Sequence, residues 1–235
     1  MTLKPLGGGG GKTYRISDTL TTDYDDYSEI VSLWQNTLVT DQDLMEMIAA
    51  SEETMRVHAR TPWIIDAVVG SQTAIDAVVG SQTAIEAVVG SQTAMAIFLS
   101  TTAATDSIWT SATASKTIWD AVTPSNATKN YVDGPTGNGK GVQISPNADF
   151  EGSLHLPEIN LDDANTIAFQ TKLDAATESD DYAVSINETN LFQIDAGWSE
   201  QTADVSGFGG RPKIEVENTG GASGEKASIA NIHLS

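Results

Sequence analysis

Residues 65–95 read IDAVVGSQTAIDAVVGSQTAIEAVVGSQTAM, one ten-residue phrase written three times almost unchanged. With the register set on its apolar pair, for example Val68-Val69, the same pattern extends over residues 38–122. A second slot holds a single apolar residue, such as Ile75. We therefore interpret residues 38–122 as a decad repeat, and this interpretation decides the fold of half the chain.

Each decad also carries a polar slot that suits the beginning of a helix. Ser71, Ser81 and Ser91 fill it in the regular copies, and serine is a preferred N-cap residue. In one copy the cap position, Thr61, precedes Pro62, and proline is well tolerated at the first helical position. The repeat thus favours short helices with a break every ten residues, although one continuous overwound helix remains an alternative.

The spacing of ten does not keep one helical face towards a partner. Ten residues at about 100° each fall roughly 80° short of three turns, so a stripe on a straight helix would rotate away. A helix of about eight residues is marginal alone, and a helical solenoid normally uses units of 20 or more residues.

We therefore expect identical chains to cover the apolar slots in a homo-oligomeric shaft, a coiled-coil-like assembly. The β-branched residues in those slots favour three or more strands, so a homotrimer is the preferred copy number. The predicted oligomer core consists of Val68, Val69, Ile75, Val78, Val79, Ile85, Val88, Val89, Met95, Phe98, Ile108, Trp109, Ile118 and Trp119.

The charge balance restricts the partners of the chain. Thirty-two acidic residues against 12 basic ones give a net charge of −20. Phosphate binding needs clustered Lys and Arg, so nucleic acid and anionic membranes are poor partners. Acidity spread along the whole chain is typical of proteins that work in molar salt, and we expect a halophilic source; an acidic extracellular protein is the alternative.

The chain contains no cysteine, which excludes disulfides and thiolate metal sites. Neither a signal peptide nor an apolar run of membrane-spanning length is recognisable, so we expect a soluble protein without membrane insertion. The first 37 residues contain a glycine run at 7–11, and we predict a flexible attachment arm there. The segment LGGGGGKT does not make a P-loop, because Leu6 stands where the first glycine is required.

The decads stop in a segment rich in proline and glycine, which we predict to be a linker over residues 123–139. From residue 140 the apolar period becomes two, as in TIAFQTKL and ASIANIHL. Six or more short strands over residues 140–235 indicate an antiparallel β-sandwich or jelly roll. The predicted class is therefore α+β multidomain, with a helical shaft followed by a C-terminal sandwich.

Few residues of the sandwich are candidates for binding. Tyr182, Trp198 and Phe208 could present aromatic faces to a ligand, although core packing is the alternative for each. The three histidines, His58, His155 and His233, are isolated and do not have metal-ligand spacing.

Acidic pairs and catalytic motifs give no firm site. The pairs at 25–26, 162–163 and 180–181 could supply oxygen ligands to calcium, but solvated surface charge is the simpler interpretation, and we expect no cofactor. No nucleophile motif occurs, and sequence alone does not select a catalytic carboxylate pair. We therefore expect a protein that is not an enzyme.

Two segments resemble known families. AVVGSQTAI and AVVGSQTAM resemble repeats of structural and fibre proteins of tailed viruses. TIAFQTKLD, WSEQTADVSGFGGRPKIEVEN and ASIANIHL are similar to jelly-roll modules of carbohydrate-binding and adhesion proteins. Many such modules carry Asp where Ala230 stands, a departure that argues against carrying over their structural calcium site.

The resemblance, together with the acidity, implies a tail fibre or baseplate spike of a tailed virus of halophilic archaea. Such a protein would be part of the virion and extracellular after lysis. Residues 1–37 would dock to other virion proteins, and the sandwich would act as the receptor-binding head for a host glycan or glycoprotein. The alternatives are a capsid turret or decoration spike, a glycan-degrading tail spike, and a structural connector without a ligand.

Overall fold

The computed structural model describes residues 3–5, 12–135, 139–147, 152–173, 182–194, 198–218 and 226–235. The chain divides into two compact units, residues 1–98 and 99–235. Within the described ranges, no single helix is both long and apolar enough to cross a membrane. The glycine run at 7–11 and the acidic pair at 180–181 lie outside these ranges.

The first unit begins with a small antiparallel sheet and a capped helix. Its elements are β1 (Leu3–Pro5), β2 (Lys12–Arg15) and β3 (Leu20–Tyr24), in the order β1-β3-β2, and α1 (Tyr27–Asn36). The carboxylate of Asp26 begins α1 by accepting a hydrogen bond of 2.8 Å from the backbone N–H of Ser28. Ile16, Ile30 and Trp34 are buried. The predicted flexible arm is therefore corrected for residues 12–37, because they contribute to the core of this unit.

The decads form separate short helices, as the cap slots indicated. After a 3₁₀ turn at Leu38–Thr40 they are α2 (Gln42–Ala49), α3 (Glu52–His58), α4 (Pro62–Val69), α5 (Gln72–Gly80), α6 (Gln82–Val89) and α7 (Gln92–Ser100). The side chains of Ser71 and Ser81 cap α5 and α6. The axes of α4 and α5 differ in direction by 107°. The chain thus turns a corner at each cap, and the continuous helix is excluded.

Three corners bring the chain back above itself. Helix α5 packs beside α2, and α6 packs beside α3, so these two helices lie over the helices three decads earlier. The hydroxyl of Ser81 donates a hydrogen bond of 2.7 Å to the carbonyl oxygen of Ala49, and Ser71 makes the same bond to Val39. The decads therefore build a helical solenoid with three helices in each turn.

This stacking covers the apolar slots with the chain's own residues. The side chains with exposures of 5% or less are Val68, Ile75, Val78, Val79, Ile85, Val88, Met95 and Phe98, while Val69 and Val89 are half-buried. The prediction that the buried residues need partner chains is therefore wrong, whereas the oligomeric state of the protein stays a prediction. A single decad is too short for a layered core, but the unit that stacks is three decads long, which exceeds the usual minimum for a solenoid.

The second unit contains two more helices and a β-sandwich. Its elements are α8 (Thr102–Thr110), α9 (Ala112–Asp120), β4 (Thr123–Ser125), β5 (Ala127–Asp133), β6 (Lys140–Pro146), β7 (Ser153–His155), β8 (Thr166–Leu173), β9 (Tyr182–Ile186), β10 (Thr189–Gln193), β11 (Ser199–Asp204), β12 (Ile214–Asn218) and β13 (Ala227–Leu234). One antiparallel sheet, here called sheet I, has the order β10-β9-β12-β7-β4, and sheet II has the order β11-β8-β13-β6-β5.

The alternating segments form the strands that period two predicts. TIAFQTKL is β8 and ASIANIHL is β13, and they pair in register from Ala227 opposite Leu173. The linker predicted over residues 123–139 is corrected for residues 123–133, because β4 and β5 pair with β7 and β6 and so complete both sheets. Phe169 and Phe192 meet between the sheets with ring centroids 6.0 Å apart.

Helices α8 and α9 are attached to the sandwich through two tryptophans. The indole N–H of Trp109 donates to the carbonyl oxygen of Ile232 at 2.8 Å, and that of Trp119 donates to Lys140 at 2.6 Å. The two rings lie 5.5 Å apart, and Ile108 and Ile118 are buried with them. These four residues, predicted to line an oligomer core, pack within their own unit instead.

Candidate functional site

The three aromatic residues predicted to bind a ligand occupy different environments. Tyr182 is 0% exposed in β9, so it is corrected to a core residue that offers no ring face to a ligand. Trp198 and Phe208 are half-buried. They stand beyond opposite ends of the six-residue strand β11, which is about 20 Å long. The structure therefore does not unite the predicted residues in one site.

Trp198 lies against the outer surface of sheet II. The paired residues Ile229 and Val142 point into the core, so their neighbours Ala230 and Gly141 point outwards. A Cβ placed on Gly141 would lie 3.4 Å from Cη2 of Trp198 and 3.2 Å from the Cβ of Ala230. Two small residues thus form a shelf for the indole, and Trp198 is half-buried there.

Hydrogen-bonding side chains continue this surface across sheet II. Lys172 pairs with Ser228, Ser228 with Gln143, and Gln143 with Asn130, in one row that starts beside Trp198; Ser228 itself is buried. We define the Trp198 face as Trp198, its shelf and this row, together with Gln170 and Glu200. The amide of Gln170 donates to the Glu200 carboxylate at 3.1 Å. The face combines one aromatic surface with amide, carboxylate and ammonium groups, which suits a ligand with both apolar and hydroxylated sides.

Phe208 belongs to a loop that hydrogen bonds hold in place. The backbone N–H of Gly210 donates to the Asp162 carboxylate at 2.7 Å, and the N–H of Leu161 donates to Gly210 at 2.9 Å. Asp162 was a candidate calcium ligand, and in the structure it anchors this loop. Across the described residues, no group of three or more His, Asp or Glu side chains is arranged to hold a metal ion.

The outer surface of sheet I carries a charged cluster that the sequence did not single out. Glu215, although it is 5% exposed, lies 3.2 Å from Nε2 of His155 and 2.7 Å from Nζ of Lys213. The neighbouring carboxylate of Glu217 accepts a hydrogen bond from Ser185. Sheet pairing sets the cross-strand positions of these residues. In the sequence, only the alternation of charged and apolar residues in KIEVE, residues 213–217, indicates that the charged side chains share one face. Both carboxylates are engaged by protein groups.

A second buried cluster lies in the first unit. Nε2 of His58 is 3.2 Å from the Tyr14 hydroxyl, which also accepts a hydrogen bond of 3.3 Å from the indole of Trp34. Burial lowers the pKa of His58 to about 4 and raises the pKa of Tyr14. His58 is therefore neutral near pH 7 and packs edge-to-face on Trp34, with ring centroids 4.8 Å apart.

This cluster borders a cavity of about 240 Å³ that Arg15, Glu53 and Val57 also line. Nδ1 of His58 and Oγ1 of Thr54 are buried there without a hydrogen-bond partner in the described structure. His58 is isolated in the sequence, because its partners Tyr14 and Trp34 are about 44 and 24 residues away in the chain. Only the fold brings them together.

Comparisons with known proteins detect likeness in the sandwich region. No protein-family profile matches the chain, and no curated protein matches it. Among solved structures, a family 29 carbohydrate-binding module in complex with cellulohexaose is similar at 16% identity and a TM-score of 0.37, over 48% of this chain and 78% of that one.

Two further structures show likeness of the same extent. A family 35 carbohydrate-binding module from Clostridium thermocellum matches at 14% identity and a TM-score of 0.35, over 48% of this chain and 92% of that one. A cleaved adhesin domain of Lys-gingipain matches at 11% identity and a TM-score of 0.39, over 49% of this chain and 90% of that one. Likeness of this size does not identify a ligand for this chain.

Proposed function

We propose that this protein binds glycans through the Trp198 face and does not cleave them. The observation that supports the proposal is the half-buried indole of Trp198, held on the shelf of Gly141 and Ala230 beside a row of polar side chains. A pyranose ring has apolar C–H faces and a rim of hydroxyl groups. An aromatic surface complements the first, and amide and carboxylate groups complement the second.

Each part of the face has a role in this binding. The Trp198 ring packs against the C–H face of one sugar unit. The amides of Gln143 and Asn130 donate to and accept from hydroxyl groups of the next units, and the Glu200 carboxylate accepts from them. Because the row crosses several strands, an extended chain of sugar units fits it better than a single sugar.

Binding without catalysis is supported by the state of the carboxylates on sheet I. Glycoside hydrolysis requires two carboxyl groups that are free to act as acid and as base or nucleophile. Glu215 is paired with two basic groups, and Glu217 accepts from Ser185. We expect incubation with host surface glycan to leave its chain length unchanged, and release of shorter products would contradict this part of the proposal.

The test of glycan binding compares two aromatic variants of the full chain on an array of surface glycans. Trp198→Ala removes the stacking surface, and we expect at least about a tenfold loss of affinity. Phe208→Ala is the matched control, since this residue is also half-buried but lies beyond the other end of β11. Equal binding by the parent and Trp198→Ala chains, or equal losses in both variants, would overturn the assignment.

We further propose that glycan binding serves attachment of a virion to a salt-loving host, as the tail fibre or baseplate role implies. The resemblance of the decads to repeats of tailed-virus proteins and the net charge of −20 support this role. The trimeric shaft no longer has its original physical basis, because the apolar slots are covered within one chain. Particles that carry Trp198→Ala should adsorb poorly to host cells, and unchanged adsorption would favour the structural connector.

The mass of the assembly in high salt would separate one, three and five copies, the last being expected for a capsid turret.

A further inference from the structure

The decad of α4 differs from the three that follow it at its first two helical positions. Helices α5 and α6 begin with Gln72-Thr73 and Gln82-Thr83, whereas α4 begins with Pro62-Trp63. A helix can start with either Gln-Thr or Pro-Trp, because the backbone N–H that proline lacks has no partner within the helix at this position. The replacement therefore changes the surface of the solenoid and leaves its backbone intact.

The change leaves a carboxylate without its usual partner. In α5 the amide of Gln72 donates to Asp76 at 2.7 Å, and in α6 the amide of Gln82 donates to Glu86 at 2.6 Å. Proline has no such amide, and among the described residues the Asp66 side chain has neither a hydrogen-bond partner nor an ion pair. Asp66 is exposed, and its carboxylate is available to a ligand.

The same replacement places an indole beside that carboxylate. Trp63 and Asp66 line an open cavity of about 450 Å³, together with Gln35, Val39, Thr40 and Ser71. This volume lies within the usual range for small-molecule sites. Trp63 is half-buried, and its ring meets that of Tyr27 edge-to-face with centroids 5.8 Å apart. Tyr27 does not line the cavity, and it supports the Trp63 ring from one side.

We propose that this cavity, here called the Trp63 pocket, binds a neutral saccharide unit. The Trp63 ring packs against the C–H face of the sugar, the Asp66 carboxylate accepts from two of its hydroxyl groups, and the Gln35 amide donates to another. Asp66 and the net charge of −20 repel anionic ligands such as phosphates. The first unit thus has a binding site of its own, which goes beyond the glycan binding proposed for the sandwich.

Two substitutions test the pocket by restoring residues of the neighbouring decads. Trp63→Thr removes the ring and introduces the residue of the same position in α5 and α6. Pro62→Gln restores the amide, which we expect to bond Asp66 as Gln72 bonds Asp76. The matched control is Thr73→Ala, a change in the same position of the next decad. Because Gln and Thr stand at these positions in folded neighbouring helices, we expect all three variants to fold, and thermal unfolding checks this.

The measurement is made on the full chain carrying Trp198→Ala, so that binding by the sandwich does not contribute. Neutral monosaccharides and short oligosaccharides are titrated, and binding is followed by ligand-observed NMR and calorimetry. We expect Trp63→Thr to weaken binding about tenfold and Pro62→Gln to weaken it severalfold, with Thr73→Ala unchanged.

Absence of saccharide binding to the Trp198→Ala chain would overturn the Trp63 pocket. So would equal affinity of the Trp198→Ala chain with and without Trp63→Thr, which would leave Trp63 a packing residue for Tyr27. Neither result affects the proposed function of the sandwich, which depends on the loss of binding between the parent and Trp198→Ala chains.

Discussion

The hydroxyl group of Ser81 joins two turns of the helical solenoid. Its oxygen accepts a hydrogen bond of 3.3 Å from the backbone N–H of Ala84, and its O–H donates one of 2.7 Å to the carbonyl oxygen of Ala49. The first bond begins α6, and the second connects this corner to the end of α2. One side chain thus serves both the local helix and the stacking of a turn on the previous one.

Replacing Ser81 should therefore cost more than the loss of an ordinary cap. We expect Ser81→Ala to lower the free energy of unfolding by about 2 kcal/mol, since a cap and a buried carbonyl partner are lost together. Urea unfolding followed by the helical circular dichroism signal measures this change.

Ser51 provides the matched control, because it occupies the same slot of an earlier decad. Its buried hydroxyl makes no cap bond and has no hydrogen-bond partner in the described structure. Ser51→Ala should change the free energy of unfolding by less than about 0.5 kcal/mol, or stabilise the protein. Similar losses in the two variants would contradict the role assigned to the bond between Ser81 and Ala49.

His58 should make the stability of the first unit depend on pH. Its pKa is about 4 in the folded chain and 6.5 for an unperturbed histidine, so the unfolded state binds the proton more tightly. The stabilisation from neutral His58 is fully present above pH 6.5, the pKa of the unfolded state. It is lost as the pH falls towards about 4, the pKa of the folded state. The full loss amounts to about 3 kcal/mol.

The variant His58→Met isolates this contribution from that of the carboxylates, including nearby Glu53. Methionine fills a similar volume and does not titrate, although the bond to Tyr14 is lost. We expect the difference in unfolding free energy between the parent and the variant to shrink between pH 6.5 and pH 4. Parallel pH profiles would show that His58 does not titrate on unfolding.

Lys129 should stabilise the C-terminal end of α9. Its Nζ donates to the carbonyl oxygens of Trp119 at 2.9 Å and Val122 at 2.8 Å, and burial lowers its pKa. Lys129→Met leaves these carbonyl groups without their charged donor, and we expect a loss of about 2 kcal/mol in urea unfolding.

Lys172→Met removes the same charge at a half-buried position of β8 and serves as the control. Its effect should stay within about 0.5 kcal/mol, as expected for surface substitutions. If both variants lose the same stability, the cause is the change in net charge and not the contact with α9.

Gly141 should be intolerant of any side chain, because a Cβ there would lie 2.8 Å from the carbonyl oxygen of Ile229. Gly141→Ala must displace β13 or β6, at a cost of about 1–3 kcal/mol, and it also shifts Trp198. We expect lower thermal stability together with weaker glycan binding. Gly207→Ala is the control, since a Cβ at Gly207 meets nothing within 4 Å. A fully stable Gly141→Ala chain would contradict the close packing of this shelf.

The sequence could predict the features that depend on neighbours in the chain. A serine cap bonds an N–H three residues later, so the breaks between α4, α5 and α6 were readable from the decads. Period-two alternation likewise placed β8 and β13. These signals are local, and the physical interactions behind them span only a few residues.

Contacts between distant residues were decided by the tertiary structure alone. Whether Val78 is covered by another chain or by its own depends on α5 stacking on α2, about thirty residues back, and no local pattern encodes that register. Tyr182 and Trp198 are both aromatic and near strand ends, yet the first is fully buried and the second is half-buried on the shelf of Gly141 and Ala230. The physical reason is that burial is a property of the packed surfaces that meet in space, whereas the sequence specifies directly only what each residue does to its near neighbours.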